Sequence, residues 1–148
     1  MTTPPLPSET AAALATGLRA LVGRLKRRLR AQSGGDDLPA AQIYALLRLE
    51  SDGAATMSQL ARAEGMRPQS MAAILSPLQA AGHVRAAPDP GDGRQILWAL
   101  TDSCRQWLAE RRAARQDWLT RAIEARFTPE EQARLAEAVL LLRRLADD

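Results

Sequence analysis

Residues 82–101 read Gly82-His83-Val84-Arg85-Ala86-Ala87-Pro88-Asp89-Pro90-Gly91-Asp92-Gly93-Arg94-Gln95-Ile96-Leu97-Trp98-Ala99-Leu100-Thr101, and the reading of this stretch decides the fold. His83 to Ala87 and Gln95 to Leu100 are two short runs with strand character, without helical spacing. Between them lie two prolines, two glycines and two aspartates, residues that set or tolerate the backbone angles of tight turns. The expectation is a β-hairpin with a turn-rich loop.

Immediately upstream the spacing is helical. Pro68 preorganises a first turn, Met71, Ile74, Leu75 and Leu78 form an apolar stripe, and Gly82 closes the helix. Pro77 interrupts that helix, so a kink is expected, or a restart with Ser76 as a new cap. Before it lies a short helix that Thr56 or Ser58 caps, with Leu60 and Ala61 inward and Gly65 at its end. Two short helices around a glycine-centred turn have the helix-turn-helix layout. One more helix precedes them, starting at Asp36-Asp37-Leu38-Pro39 with Pro39 in its first turn, Ile43, Leu46 and Leu47 inward and Gly53 ending it.

Long helices flank this middle. From Glu9 to Gln32, Leu14, Leu18, Leu21, Leu25 and Leu29 recur every three or four residues, and Gly34-Gly35 act as a stop. The other faces carry Arg19, Arg24, Lys26, Arg27, Arg28 and Arg30, which read either as a solvated surface or as a flank facing phosphate. Downstream, Thr101 can cap a long helix with Trp107, Leu108, Trp118, Leu119, Ala122 and Ile123. Thr128-Pro129-Glu130-Glu131 combines an N-cap, a proline at the first helical position and a capping-box glutamate, and Leu135, Val139, Leu142 and Leu145 supply the last stripe. A compact middle cannot cover both outer stripes, so a second copy of the chain is the simplest cover.

The fold class expected is therefore mainly α (α+β), a winged helix-turn-helix with a short antiparallel hairpin, flanked by N- and C-terminal dimerisation helices. Residues 1–148 form one domain in this reading, with 38–101 as the winged helix-turn-helix part and 8–35 with 102–148 as the helical dimerisation part. A composition of 46% hydrophobic and 25% charged residues is that of a folded protein rather than a disordered tail. No apolar run reaches membrane-spanning length and the N-terminus lacks signal-peptide character, which points to the cytoplasm. Cys104 and His83 are the only cysteine and histidine, leaving no disulfide, no zinc-ligand set and no visible nucleophilic machinery. The expectation is no enzyme, no metal and no cofactor.

Net charge is +3, and residues 1–35 hold six basic groups against Glu9 alone. Nineteen of the twenty basic residues are arginine, which suits bidentate phosphate or guanine contacts.

Gly82-His83-Val84-Arg85, then Asp89-Pro90-Gly91-Asp92-Gly93-Arg94 and Leu100-Thr101, resemble the wing signature of MarR regulators. Ser58-Gln59-Leu60-Ala61, Gly65-Met66 and Arg67-Pro68-Gln69-Ser70-Met71 are similar to the same family's helix-turn-helix, and the likeness extends over essentially the whole chain. It implies a homodimer that binds palindromic double-stranded DNA, acts mostly as a repressor, and is released by a small aromatic or lipophilic effector. By position it implies that Gln69 and Ser70 face the major groove, that Ser58 touches phosphate, and that Arg94 holds the wing and reaches the minor groove. An amide such as Gln69 can pair bidentately with adenine, and Arg94 beside a glycine-rich tip suits the negative potential of a narrow minor groove. Its other role would be an ion pair with Asp92 or Asp89. No residue is assigned to an effector pocket, although Tyr44, Trp98, Trp107 and Trp118 read as either core or pocket lining.

Two departures from the family pattern are visible. Gly93 stands where many relatives have a second basic wing residue, and from Pro68 to Gly82 there is no Lys or Arg. Phosphate affinity must then come from Arg67, Arg85, Arg94, backbone N–H groups or the N-terminal arginines. Two alternatives compete: a winged helix that binds another protein and no DNA, and an oxidant sensor in which Cys104 near a helix start has a lowered pKa.

Overall fold

Burial of one stripe on a 13-residue helix organises the middle of the chain. In the computed structural model, which describes residues 6, 8–33 and 38–147, six helices and one hairpin follow in the order α1 (Glu9–Ala31), α2 (Ala40–Asp52), α3 (Met57–Ala63), α4 (Pro68–Ala80), β1 (Val84–Pro88), β2 (Ile96–Leu100), α5 (Asp102–Arg126) and α6 (Pro129–Ala146). This is the mainly helical winged helix-turn-helix expected. Contacts divide the chain into two units, Asp36–Arg112 and a second made of Met1–Gly35 with Ala113–Asp148.

In the first unit, Met71, Leu75 and Leu78 of α4 are fully buried against Leu46 and Leu49 of α2, Leu60 of α3, Val84 and Leu100 of the hairpin, and Cys104 and Leu108 of α5. Glycines end two of these helices because the chain must turn left-handed there. Gly65 has φ +65° and Gly82 φ +78°, and each lets the next N–H reach back to the helix: Met66 to the Ala61 carbonyl at 2.8 Å and His83 to the Leu78 carbonyl at 2.9 Å. Thr56, rather than Ser58, caps α3, in a reciprocal box with Gln59. The strands are antiparallel, with Val84 opposite Leu100 and Pro88 opposite Ile96. Ala55 extends them by one bridge to Trp98, its N–H donating at 3.0 Å and its carbonyl accepting at 2.7 Å.

Three expectations are corrected. Leu47 is 39% exposed, because the inward face of α2 is set by Ala45, Leu46 and Leu49, and Leu47 falls on the opposite flank. Pro39 is the N-cap of α2 and not a residue of its first turn. Of the two alternatives at Pro77, the restart at Ser76 does not occur: α4 runs unbroken through Pro77. The only intrahelical bond that Pro77 removes is its own, to the carbonyl of Ala73, and both residues are exposed, on the face of α4 open to solvent. The Pro77 carbonyl still accepts from Ala81 at 3.0 Å and closes the last turn. The proposed stop at Gly34-Gly35 and the residues Asp36-Asp37 lie outside the described residues.

In the second unit, Ser8 caps α1 and Thr128 caps α6 in a capping box with Glu131. Arg115 donates to the Ser33 hydroxyl at 2.7 Å, and Arg28 lies 5.4 Å over the ring of Trp118. Neither α1 nor α6 buries a single residue. Leu14, Leu21 and Leu25 are exposed, as are Val139, Leu142 and Leu145, while Leu18 and Leu135 are half-buried. Leu140 and Leu141 broaden the exposed apolar surface of α6 beyond the simple stripe.

Truncating the centre of the α4 stripe removes packing on every side. Leu75→Ala is expected to destabilise the protein by about 2–5 kcal/mol, the range for a leucine cavity that relaxes only partly. Urea unfolding followed by far-UV circular dichroism checks this, and a loss below about 1 kcal/mol would contradict the packing described.

Candidate nucleic-acid interface

With its apolar stripe fixed inward, α4 turns Gln69, Ala73, Ser76 and Ala80 outward, since residues on a helix advance by about 100° each. Arg67 is the N-cap with extended backbone and no side-chain capping bond, and Pro68 occupies the first helical position. Arg67, Pro68, Gln69 and Ser70 are all exposed, so the first turn of α4 presents two basic or amide side chains, one hydroxyl and the positive end of the helix dipole to solvent.

The turn that aims α4 is tied down by Arg48 of α2. Its Nε donates to Glu64, the C-cap of α3, at 2.9 Å, and Asp52 lies 3.5 Å away. The hydrogen bond and charge of Glu64 raise the Arg48 pKa above its ordinary value. Spacing along the sequence gives no sign of this pair, whose partners are separated by 16 residues.

The wing is ordered by its aspartates. Asp89 Oδ1 accepts from the Gly91 N–H at 2.8 Å, and the Asp89 N–H donates to the Gln95 carbonyl at 2.9 Å, which closes the loop. Asp92 Oδ1 accepts from the Arg94 N–H at 3.2 Å and lies 3.8 Å from Arg94 Nε. Of the two aspartates considered as partners for Arg94, the structure pairs it with Asp92 and gives Asp89 a backbone role. The Arg94 side chain is 97% exposed, so this contact restrains it weakly and leaves its guanidinium in solvent. Arg85 is also exposed, on β1 opposite Ala99.

Thr101 joins wing and helix-turn-helix. Its hydroxyl donates to the Gly82 carbonyl at 2.7 Å and accepts from the Cys104 N–H at 3.2 Å, so one side chain both fixes the end of α4 and caps α5. Ser58 is exposed at the second position of α3. With Thr56, Met57, Gln95, Ile96 and Trp98 it lines an open cleft of about 450 Å³, formed because the Ala55–Trp98 bridge holds the start of α3 beside β2. The site residues thus fall into a first-turn group, a wing group, and Ser58 in the cleft between the helix-turn-helix and the wing.

The remaining candidates are placed elsewhere. Trp98 and Trp107 pack partly against the core, and Trp107 stands 5.0 Å from the His83 ring and 4.5 Å from the Arg111 guanidinium. Tyr44 is 54% exposed. Cys104 is buried, and burial, assisted by the charge of Glu50, raises its pKa, the opposite of an activated thiolate. Among the described residues no group of three His, Cys, Asp or Glu side chains could hold a metal, and no helix is long and apolar enough to cross a membrane.

Comparison with known proteins agrees with this geometry. The sequence pattern of the MarR family matches residues 36–95. An uncharacterised HTH-type transcriptional regulator of Mycobacterium bovis is 36% identical over 137 residues, covering 93% of this chain and 95% of the relative. A Pseudomonas aeruginosa protein assigned as a transcriptional regulator has the same fold with a TM-score of 0.85 at 36% identity, covering 96% of this chain and 99% of that one. The fold is also similar to that of an S. aureus MepR mutant bound to an oligodeoxyribonucleotide, with a TM-score of 0.70 at 18% identity over 88% of this chain and 96% of that one. The chain therefore belongs to the MarR family and is an HTH-type, DNA-binding transcriptional regulator, not an enzyme.

Proposed function

We propose that the protein binds a palindromic operator as a homodimer, with the first turn of α4 in the major groove and the wing in the minor groove. The observation that carries this reading is that Gln69, Ser70 and Arg94 are all exposed in one unit whose core holds their backbones in place. Gln69 reads a base edge, Ser58, Arg67 and Arg85 meet phosphate, and Pro68 and Asp92 hold the first turn and the wing arginine. The S. aureus MepR mutant bound to an oligodeoxyribonucleotide supports DNA as the ligand of this fold. Residues 38–101 act as the DNA-binding part, and 8–35 with 102–148 as the dimerisation part.

Dimerisation is supported by apolar surface that the single chain leaves in water. Leu14, Leu21, Leu25, Leu142 and Leu145 are 37–74% exposed on two helices with no buried residue, and large apolar side chains lined up along a helix in this way favour an interaction site. The regulatory sense proposed is repression, relieved by a small aromatic or lipophilic effector, as the family resemblance implies. A protein partner in place of DNA is the second reading, favoured by the absence of any Lys or Arg from Pro68 to Gly82. Oxidant sensing through Cys104 is disfavoured by its burial and raised pKa.

Replacing Leu18 and Leu142 together by Glu is expected to convert dimers to monomers or aggregates in analytical ultracentrifugation. An unchanged dimer would remove these helices from the interface.

The operator, recovered by selection of bound fragments, is expected to be a palindrome with half-sites ~10 base pairs apart, the distance between two-fold related recognition helices. Footprinting on a single asymmetric half-site would contradict that arrangement.

Gln69→Ala is expected to cost roughly 1–3 kcal/mol on the operator and little on random DNA, because only the correct base offers the paired donor and acceptor. Arg94→Ala should weaken both and flatten the salt dependence. Affinities of both variants across a salt series decide the matter. Retained specificity in the first, or an unaltered salt slope in the second, would refute the corresponding role.

A further inference from the structure

The winged-helix unit carries no positive excess of its own. Residues 36–112 hold eight basic and nine acidic side chains, and residues 113–148 six basic and seven acidic. The whole positive balance of the chain therefore belongs to residues 1–35, with six basic groups and one acidic, and every one of those basic groups lies on α1. The sequence between Glu9 and Asp36 contains no acidic residue.

Their arrangement is not uniform around the helix. Arg19, Lys26, Arg27 and Arg30 fall within about 100° of one another and within about 17 Å along the axis, on the side away from Leu14, Leu18, Leu21 and Leu25. All four are exposed. Lys26 and Arg30 are like charges four residues apart, a pairing that weakens a helix. Gly23 sits at the centre of this face, with Arg19, Lys26 and Arg27 at i−4, i+3 and i+4. Glycine also weakens a helix interior, and here no close packing requires it: a side chain at Gly23 would meet only the Arg27 guanidinium, at 3.8 Å. A bare stretch of backbone ringed by cations, kept at two separate costs to the helix, matches the requirements of a closely approaching polyanion.

We propose that this face of α1 binds the sugar–phosphate backbone of duplex DNA, supplying the sequence-independent attraction that the winged-helix unit lacks. The inference rests on the DNA-binding reading above and adds a second contact surface to it. Duplex DNA presents one negative charge per ~1.7 Å of axis, so a face of this length meets several phosphates. The Gly23 notch admits a phosphate close to the helix, where arginine forks can grip it from both sides.

The test uses the full chain carrying Arg19→Gln, Lys26→Gln and Arg27→Gln, all at exposed positions, with glutamine preserving helix propensity. Binding is measured across a salt series to the selected operator and to a random duplex of equal length. Each lost contact is expected to lower the slope of log affinity against log salt by ~0.9, and affinity should fall at least about tenfold on both duplexes alike. The charge-conserving variant Arg19→Lys with Arg27→Lys should retain most of the wild-type slope. If the wild type shows salt-dependent operator binding and the glutamine variant keeps the same slope, the α1 assignment fails while the DNA-binding reading stands. If the wild type binds neither duplex, the DNA-binding reading itself fails. A changed sedimentation coefficient in the glutamine variant would place this face at a protein interface. Loss of binding to phosphatidylglycerol vesicles with unchanged DNA binding would assign it to a lipid surface. Either outcome overturns the proposal.

Discussion

Everything outward about the winged-helix unit follows from what α4 turns inward. Met71, Leu75 and Leu78 are held at no more than 1% exposure by α2, α3, the hairpin and the start of α5. That burial removes the helix's rotational freedom, and the opposite face is then fixed as Gln69, Ala73, Ser76 and Ala80. A helix of this composition has no charge with which to orient itself, so the core must do it. The glycine turns at Gly65 and Gly82 serve the same end, because each stops a helix with a fixed backbone geometry rather than a frayed one.

The outward face of α4 is small, neutral and close to the helix axis. Such a surface permits close approach to base edges and leaves few polar groups to discriminate among them, so in the proposed binding mode sequence reading falls to Gln69 and Ser70 in the first turn. It also explains why Pro77 is tolerated. On a face turned to water the lost backbone bond is replaced by solvent, whereas the same residue on the Met71 side would leave a buried carbonyl unsatisfied.

Much of this was legible in the sequence because it depends on short-range chemistry. Thr128 with Glu131, Thr101 before α5, Gly65 and Gly82 as helix stops, and the strand pair around the Pro-Gly-Asp loop all announce themselves within a few residues. What escaped depends on contacts between distant residues. The Ala55–Trp98 bridge makes the start of α3 part of the wing's framework, and the Arg48–Glu64 pair ties α2 to the turn before α4, yet neither leaves a periodic trace. Leu47 was misread for a related reason: in a short helix rich in apolar residues, periodicity alone does not choose which leucines face the core.

Charge and shape are divided between different parts of this chain. The winged-helix unit supplies shape and hydrogen-bonding groups with almost no net charge, while α1 supplies the net positive excess with no shape complementary to a base edge. Attraction that falls off with salt, and discrimination that depends on donors and acceptors at fixed distances, are separate physical demands. When both are built into one recognition helix, added lysines or arginines raise affinity for wrong and right sequences together. A neutral α4 avoids that conflict, since side chains that hold no phosphate contribute little unless a base edge matches them. In the binding mode proposed above, this division lets a recognition helix without a single Lys or Arg serve a regulator whose ligand is a polyanion.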